Sequence, residues 1–241
     1  MSRANETRMG EGLSSLGVGG LTYLDVLPGT PREALEELSA IHLEYFGDSY
    51  AEATRDFRRA WEGAASQPEI IEHQWLLHLD GVPCGELVFS VNLQRRMVDR
   101  HFTSIRKEFR QQMPEQWIPS VTRAVTGASV EGAAAHGVQL LGMMSEIMPK
   151  HVAGWRKWGL YQPDIGYCEP LHGNYWRDFG ELEYVPMVAN ILPFPEGDTA
   201  GLGVVAEAGV RSFLLDYYGV PDDDPTFRGI IDSCRSLPTA W

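Results

Sequence analysis

The chain has 241 residues, 44% of them hydrophobic and 22% charged, and its formal net charge is −13. This composition is typical of a globular protein with a full hydrophobic core, and no apolar run approaches the ~20 residues of a membrane-spanning helix. The acidic balance argues against a phosphate-backbone partner, which requires a basic face, so we expect neither nucleic acid nor membrane as a partner.

The spacing of cysteine and histidine residues predicts no metal site. Cys84, Cys168 and Cys234 are widely spaced and form neither a disulfide framework nor a Cys-x-x-Cys motif. His73 and His78 lie in a predicted strand at an odd spacing, which puts them on opposite faces. We therefore predict a reducing, cytoplasmic setting and no bound metal.

The first half of the chain predicts a strand, two helices and a β-hairpin. The leading segment, 1–20, lacks the apolar core of a signal peptide and is expected to be a flexible leader. Apolar residues at helical spacing after Thr30 predict a helix that Gly47 ends. Asp80-Gly81 is a strong signal for a two-residue hairpin turn. The expected elements are a strand over 21–27, helices over 30–46 and 50–64, and strands over 69–80 and 82–92.

The second half predicts further strands, a long helix and a short helix that stops at a glycine. The apolar run from Val138 to Met144 suits a strand covered on both faces, and Glu146 is expected just after its end. Pro149 opens the short helix, and Gly159 is the expected C-terminal cap. The remaining predictions are strands over 101–109, 165–169 and 182–192 (the last interrupted by Pro186), a helix from 114 towards 136, a helix near 204–218 and a final short helix.

The element order is therefore β, α, α, β-hairpin, β, α, β, α, β, β. Two segments add to it: IRKEFRQQMPEQW over 105–117 and VAGWRKWGL over 152–160. Over 21–192 the chain resembles the GNAT superfamily of N-acetyltransferases, whose Arg/Gln-x-x-Gly-x-Gly/Ala pyrophosphate loop and Tyr-x-x-x-Gly-Phe helix end fall at these two segments. The resemblance implies an acetyltransferase-like α/β fold, with an α+β mixed sheet flanked by helices. The rest, 193–241, is an acidic helical extension that packs over the sheet edge or mediates a homodimer.

The resemblance also implies an acyl-CoA donor, with backbone donors near the end of the strand over 101–109 facing the acyl carbonyl. Arg110 matches the family loop, whereas Gln112, Met113 and Pro114 replace its small residues, so an acyl-carrier thioester is an alternative donor. Basic residues between Arg95 and Arg110 suit a phosphate-bearing cofactor, and a solvated face is the other interpretation. The implied cofactor-binding residues are Ser104, Ile105, Arg106, Arg110, Gln111, Gln112 and Met113.

Glu146 is the predicted general base, because a carboxylate after an apolar strand lies in a partly dry cleft that raises its pKa. A solvent-facing or helix-capping role is the alternative. Glu86, on the hairpin, is the second choice. Trp155 stands where the family often has the tyrosine that protonates the leaving thiolate. The resemblance therefore implies that this role moves to Tyr161 or Tyr167, or lapses.

Aromatic side chains concentrate around the expected cleft. They suit an apolar or aromatic substrate pocket, while core packing is the alternative for the tryptophans. The polar loop over 172–180 is expected to contact and close over a ligand. The predicted pocket residues are Trp155, Trp158, Tyr167, Tyr175 and Trp176.

The resemblance thus implies an N-acyltransferase that moves an acyl group from a thioester to the amine of a small amino-acid-like or peptide substrate. Two alternatives remain open. One is a binding or scaffold protein that keeps the fold without the catalytic parts, and the other is a different enzyme chemistry on the same scaffold.

Overall fold

The computed structural model describes residues 12–64 and 67–238. Within these residues the strands are β1 Ser14–Val18, β2 Leu21–Asp25, β3 Ile70–Leu79, β4 Val82–Asn92, β5 Met97–Ile105, β6 Gly142–Ile147, β7 Cys168–Pro170, β8 Tyr184–Pro186 and β9 Val188–Pro193. The helices are α1 Arg32–Phe46, α2 Ala53–Trp61, α3 Trp117–Ala135, α4 Val152–Arg156, α5 Pro195–Ala200, α6 Leu202–Arg211 and α7 Pro225–Arg235.

The described strands form a mixed sheet and a small second sheet. The main sheet has seven strands in the order β1-β2-β3-β4-β5-β6-β9, and β7 pairs with β8 separately. Strands β5 and β6 run parallel, in register from Met97↔Gly142 to Arg100↔Ser145, whereas β6 and β9 are antiparallel. The mixed sheet flanked by helices confirms the predicted fold class.

The described chain divides into two compact units. Unit 1 contains the described residues up to 89 together with 101–127, and unit 2 contains 90–100 together with the described residues from 128 onward. In unit 1, α1 and α2 bury Leu38, Ile41 and Phe57 in a core with β2 and β3. In unit 2, α6, α7 and the π-helical turn Ser212–Tyr217 bury their apolar faces in a core with β6 and β9. No helix among the described residues is long and apolar enough to cross a bilayer.

The hairpin is confirmed where the sequence predicted it. Asp80 has a φ of 51° and Gly81 a φ of 81°, which is the left-handed pair that a two-residue turn of matching twist requires. The strand predicted over 82–92 has the bounds of β4. Pro186 also interrupts the strand predicted over 182–192, because β8 ends there and β9 begins at Val188 in the other sheet.

Three predictions need correction. The leader expected over 1–20 is wrong for Ser14–Val18, which pairs with β2, and its first part, 1–11, lies outside the described residues. The strand predicted over 101–109 is β5, four residues earlier at each end, because the buried run Met97–Arg100 belongs to the strand. The strand predicted over 138–144 is β6, which begins at Gly142 and continues through Glu146.

The C-terminal helices lie on the sheet within unit 2. Helix α6 packs on β6 and β9. Asp224 caps α7, since its carboxylate accepts a hydrogen bond from the Phe227 N–H at 2.8 Å, and Pro225 occupies the first helical position. Covering an edge strand with helices is one way that a protein shields its open hydrogen-bonding groups, and β9 is such a strand.

Candidate functional site

Glu146 lies inside β6, opposite Ala189 of β9, and not beyond the strand end as predicted. The hydroxyls of Tyr167 and Tyr218 both donate to its carboxylate. The Tyr218 hydroxyl also lies 3.3 Å from Oε2 of Glu169. We call these four residues of unit 2, Glu146, Glu169, Tyr167 and Tyr218, the acid cluster.

Desolvation changes the proton affinity of Glu146 and of the two tyrosines in the acid cluster. Desolvation, followed by the charge of Glu169, raises the pKa of Glu146 well above its ordinary value, although the hydrogen bonds from Tyr167 and Tyr218 lower it. Desolvation likewise raises the pKa of both tyrosines, and the charge of Glu146 adds to it. Two neighbouring carboxyl groups oppose each other's ionisation, which is why the charge of Glu169 adds to the raised pKa of Glu146.

The loop predicted to close over a ligand lies against the acid cluster. The Trp176 indole N–H donates to the carbonyl oxygen of Tyr218 at 2.9 Å. Tyr175 lies beside it in the 3-10 helix Gly173–Asp178. Of the predicted pocket residues, Tyr167, Tyr175 and Trp176 therefore lie in or next to the cluster.

The other predicted aromatic residues have separate partners. The Arg100 guanidinium lies 5.1 Å from the ring centre of Trp155, and the Lys157 ammonium lies 4.7 Å from that of Trp158. Tyr161 is 40% exposed, and its backbone pairs with Ile191 through two hydrogen bonds of 2.8 Å. Tyr167, the other tyrosine proposed for the acid role, donates its hydroxyl to the Glu146 carboxylate.

Unit 1 contains a cavity of about 280 Å³ where β5 ends. Its walls combine apolar side chains with basic ones. Arg110 is held in place, since its Nε donates to the Ile105 carbonyl at 3.0 Å and its guanidinium lies 5.3 Å from the Tyr45 ring centre. Arg106 is already paired with Glu37 at 2.6 Å and with Glu44 at 3.1 Å. The lining residues are Ile41, Glu44, Tyr45, Ser104, Ile105, Arg106, Lys107 and Arg110.

The predicted pyrophosphate loop has a different backbone arrangement from the one that the resemblance implies. The segment after β5 forms a short 3-10 helix, Lys107–Phe109, and the N–H groups of Gln112 and Met113 both donate to the Phe109 carbonyl, at 2.8 Å and 3.0 Å. The Arg106 N–H donates to the Cys84 carbonyl at 2.9 Å. Those three amides are engaged within the chain.

Glu86 lies fully buried in unit 1 beside His42 and Ser104. Its Oε1 lies 3.2 Å from His42 Nδ1 and accepts a hydrogen bond from the Ser104 hydroxyl at 3.1 Å. Desolvation raises the pKa of Glu86, while the hydrogen bonds and charge of His42 and the hydrogen bond of Ser104 lower it. Ser104 also lines the cavity, so the second-choice base lies directly behind the cavity wall.

Sequence reasoning missed Glu169, Tyr218 and His42. Tyr167 and Glu169 are two residues apart within the strand predicted over 165–169, a spacing that places both side chains on one face and offered a signal. Tyr218 comes from the C-terminal extension, which the family resemblance does not cover. Among the described residues no group of three or more His, Cys, Asp or Glu side chains is arranged to hold a metal ion.

No family model matches the chain and no curated protein matches it by sequence. Among solved structures, a protein assigned to the GNAT acetyltransferase family from Bacteroides thetaiotaomicron aligns with a TM-score of 0.51 at 11% identity, over 83% of this chain and 99% of its own. Two others align at lower scores: spermidine N-acetyltransferase from Vibrio cholerae (0.46, 10% identity, 73% and 95%) and a GNAT acetyltransferase from Elizabethkingia anophelis with acetyl-CoA bound (0.45, 11% identity, 73% and 100%). The first alignment and the sheet order show that this chain has the GNAT acetyltransferase fold.

Proposed function

We propose that this protein transfers an acyl group from a thioester donor to the amine of a small acceptor, with Glu146 as the general base. The observation that carries the proposal is the acid cluster on a GNAT fold. A half-buried carboxyl group whose pKa is raised by desolvation, and that accepts hydrogen bonds from two phenols, is suited to accept and return a proton.

The chemistry needs one proton removed and one supplied. As the amine forms the amide bond it loses a proton, which the Glu146 carboxylate takes. The thiolate that leaves the donor gains a proton, and the Tyr167 hydroxyl, bonded to Glu146, supplies it in place of Tyr161. Glu146 then returns its proton to the tyrosine, so the cluster ends in the state in which it began. The donor contributes an activated acyl group and a stable leaving thiolate.

Lys107 and Arg110 of unit 1 are the proposed contacts for the donor's phosphate groups, with Ser104, Ile105 and Arg106 in the same cavity wall. A side-chain site of this kind tolerates the loss of the family's glycines. It suits acyl-CoA and also the phosphopantetheine of an acyl-carrier protein, since both carry phosphate next to the thioester arm. The proposed donor contacts also include the side chains of Gln111, Gln112 and Met113.

Amino acids and short peptides are the proposed acceptors, with Trp155, Trp158, Tyr175 and Trp176 as candidate contacts for their side chains.

The first experiment measures thermal unfolding with millimolar acetyl-CoA, a long-chain acyl-CoA and free CoA. A donor at about 100 times its dissociation constant stabilises the fold by ~2.7 kcal/mol, which raises the midpoint visibly. Chromatographic detection of released CoA with a panel of amines then tests turnover.

The Glu146→Gln variant tests the base. We expect it to bind the donor as the wild type does and to lose turnover by about 100-fold or more, because the amide cannot accept the amine proton. Glu183→Gln is the matched control, since Glu183 is an exposed acid of the same unit. Equal turnover of Glu146→Gln and wild type would remove Glu146 from the mechanism.

A second candidate function is a non-catalytic binding protein. The engaged amides of Gln112 and Met113 favour it, because they leave the loop without the backbone cradle expected for a bound pyrophosphate. A midpoint shift with CoA or acyl-CoA and no release of CoA with any amine would support this function over acyl transfer. No shift with any of the three ligands would leave a carrier-protein thioester as the donor to test.

A further inference from the structure

The loop between β7 and β8 holds the backbone of Tyr218. Besides the Trp176 indole bonded to the Tyr218 carbonyl at 2.9 Å, the Arg177 guanidinium donates to the carbonyl of Gly219. Arg177 also lies over the Trp176 ring, 4.4 Å from its centre. Two successive carbonyl groups are thus bound by two successive side chains of one loop, an arrangement that we call the Tyr218 clamp.

Local backbone geometry lets the loop approach this closely. Gly173 has a φ of 57°, and a Cβ there would lie 3.5 Å from the Tyr218 ring. Gly219 has a φ of 64°, and a Cβ there would lie 2.8 Å from the Arg177 guanidinium. Within the loop the His172 and Phe179 rings stack with their centres 3.8 Å apart, so this contact joins the two sides of the segment that carries Trp176 and Arg177.

The other end of Tyr218 belongs to the acid cluster. Its side chain is buried, its hydroxyl donates to Glu146, and the same hydroxyl lies 3.3 Å from Glu169. Tyr218 also ends the π-helical turn, where its N–H donates to the Phe213 carbonyl at 2.8 Å. A single residue is therefore held at its backbone by the clamp and bonded through its hydroxyl to the proposed base.

We propose that Trp176 is a positioning residue: by binding the Tyr218 carbonyl it holds the Tyr218 hydroxyl on Glu146, and so controls how readily Glu146 takes up and releases a proton. Its meaning for catalysis rests on the acyl transfer proposed above. The clamp itself is a property of the folded protein and is measurable without any substrate.

The direction of the effect follows from the groups that face Glu146. Tyr167, Cys168 and Glu169 approach Glu146 around β7, and Tyr218 approaches it from the end of the π-helical turn, with the Tyr217 ring 4.9 Å from the Tyr218 ring. The hydroxyl hydrogen bonds lower the pKa of Glu146, and the charge of Glu169 raises it. If the Tyr218 hydroxyl is no longer held on Glu146, a hydrogen bond that lowers the pKa of Glu146 is lost. The pKa should then rise, so that Glu146 keeps its proton to a higher pH.

The test is an NMR titration of protein labelled with ¹³C at the glutamate carboxyl carbon, with the Glu146 signal assigned by its absence in Glu146→Gln. We expect Trp176→Phe, which keeps the ring and removes the indole N–H, to move the Glu146 inflection to higher pH. Trp61→Phe is the matched control, because the Trp61 indole makes the same kind of bond, to the Thr30 carbonyl at 3.0 Å, in unit 1. That control should leave the inflection unchanged.

A double-mutant cycle tests whether Trp176 acts through Tyr218. Tyr218→Phe alone should shift the Glu146 inflection upward by at least as much as Trp176→Phe, and adding Trp176→Phe to it should shift it no further. Additive shifts, or no shift in Trp176→Phe, would overturn the proposal. If Trp176→Phe fails to fold, Arg177→Lys, an exposed change in the same clamp, is titrated instead with the same expected direction.

The kinetic readout separates the two proposals. With turnover present, the acidic limb of the pH profile of kcat/KM should move to higher pH in Trp176→Phe, by the same amount as the NMR inflection. A shifted inflection in a protein that turns over no donor would support the clamp and reject the acyl transfer. Turnover of a donor with an unshifted Glu146 inflection in Trp176→Phe would support acyl transfer and reject the positioning role of Trp176.

Discussion

At the scale of single residues, His42 and Glu86 form a buried pair whose hydrogen bonds locate its protons. His42 Nε2 lies 3.0 Å from the Tyr50 carbonyl oxygen, which only accepts, so Nε2 carries a proton. The pair then shares one further proton between His42 Nδ1 and Glu86 Oε1. Aromatic rings surround the imidazole, with Phe102 at 4.7 Å, and Glu86 Oε2 has no hydrogen-bond partner among the described residues. A neutral carboxylic acid tolerates such a site better than a carboxylate, and we predict that Glu86 holds the shared proton.

The Glu86→Gln substitution tests this proton placement. An amide offers two N–H groups, one for His42 Nδ1 and one for the Ser104 hydroxyl oxygen, and reproduces a neutral pair. We expect the free energy of unfolding at pH 7 to change by less than about 1 kcal/mol, whereas Glu86→Ala should cost about 2–4 kcal/mol because it leaves two buried polar groups and a cavity. Urea denaturation measures both. Equal losses in the two variants would indicate a native ion pair.

At the scale of elements, prediction succeeded where the signal is local. Asp80-Gly81 specifies its own turn, because an unhindered glycine and an aspartate both accept the left-handed backbone, and the hairpin formed as predicted. Strand β5 was predicted four residues too late, from His101, because the charged Asp99 and Arg100 before it give no strand signal, although both are buried. Glu146 read as a strand end for the same reason. Its place inside β6 depends on Tyr167 and Tyr218, which lie far along the chain, and no local pattern reports them.

Helix α6 shows how close packing sets the residue choice of an element. Gly209 faces β6, and a Cβ there would lie 2.7 Å from the Met144 sulfur and 3.1 Å from the Met144 Cβ. Gly209→Ala should therefore lower the free energy of unfolding by about 1–3 kcal/mol, although alanine gains ~1 kcal/mol in helix propensity. Gly229→Ala in α7 is the control, since a Cβ there meets nothing within 4 Å, and it should stabilise the protein by about 0.5–1 kcal/mol. Thermal unfolding distinguishes the two variants. If both substitutions stabilise the protein, α6 can shift away from Met144 to accommodate the added methyl group.

At the scale of the whole molecule, several buried ionisable groups make stability depend on pH. Desolvation raises the pKa of Glu86, of Glu146 and, to about 8, of Asp99. Desolvation also lowers the pKa of His101 to about 3. Above its pKa of ~6.5 an unfolded histidine also loses its proton, so the histidine contribution to the pH dependence fades over the next pH unit. Between pH 6.5 and 8 the buried carboxyls dominate, and we expect stability to fall as the pH rises.

Asp99 is the clearest of these groups to test. Its Oδ2 accepts a hydrogen bond from Ser212, which in turn accepts one from Asn92 at 2.9 Å, and the charge of Asp216 adds to the raised pKa. Unfolded aspartate loses its proton near pH ~3.9, so from there to about pH 8 the folded chain holds one proton more. Because the folded state binds more protons in this window, the free energy of unfolding falls by about 1.4 kcal/mol per pH unit for this group.

The Asp99→Asn substitution should remove that contribution. An asparagine keeps the size of the side chain and an oxygen for Ser212 but cannot ionise. Between pH 6.5 and 8 the free energy of unfolding should therefore fall less steeply with pH, by the slope that corresponds to about one bound proton. Asp223→Asn removes the same formal charge from an exposed turn and should leave the slope unchanged. Urea denaturation at half-unit pH intervals measures the three slopes. Identical slopes for wild type and Asp99→Asn would mean that Asp99 is already ionised at pH 6.5, and its burial would then have to be compensated by a cation.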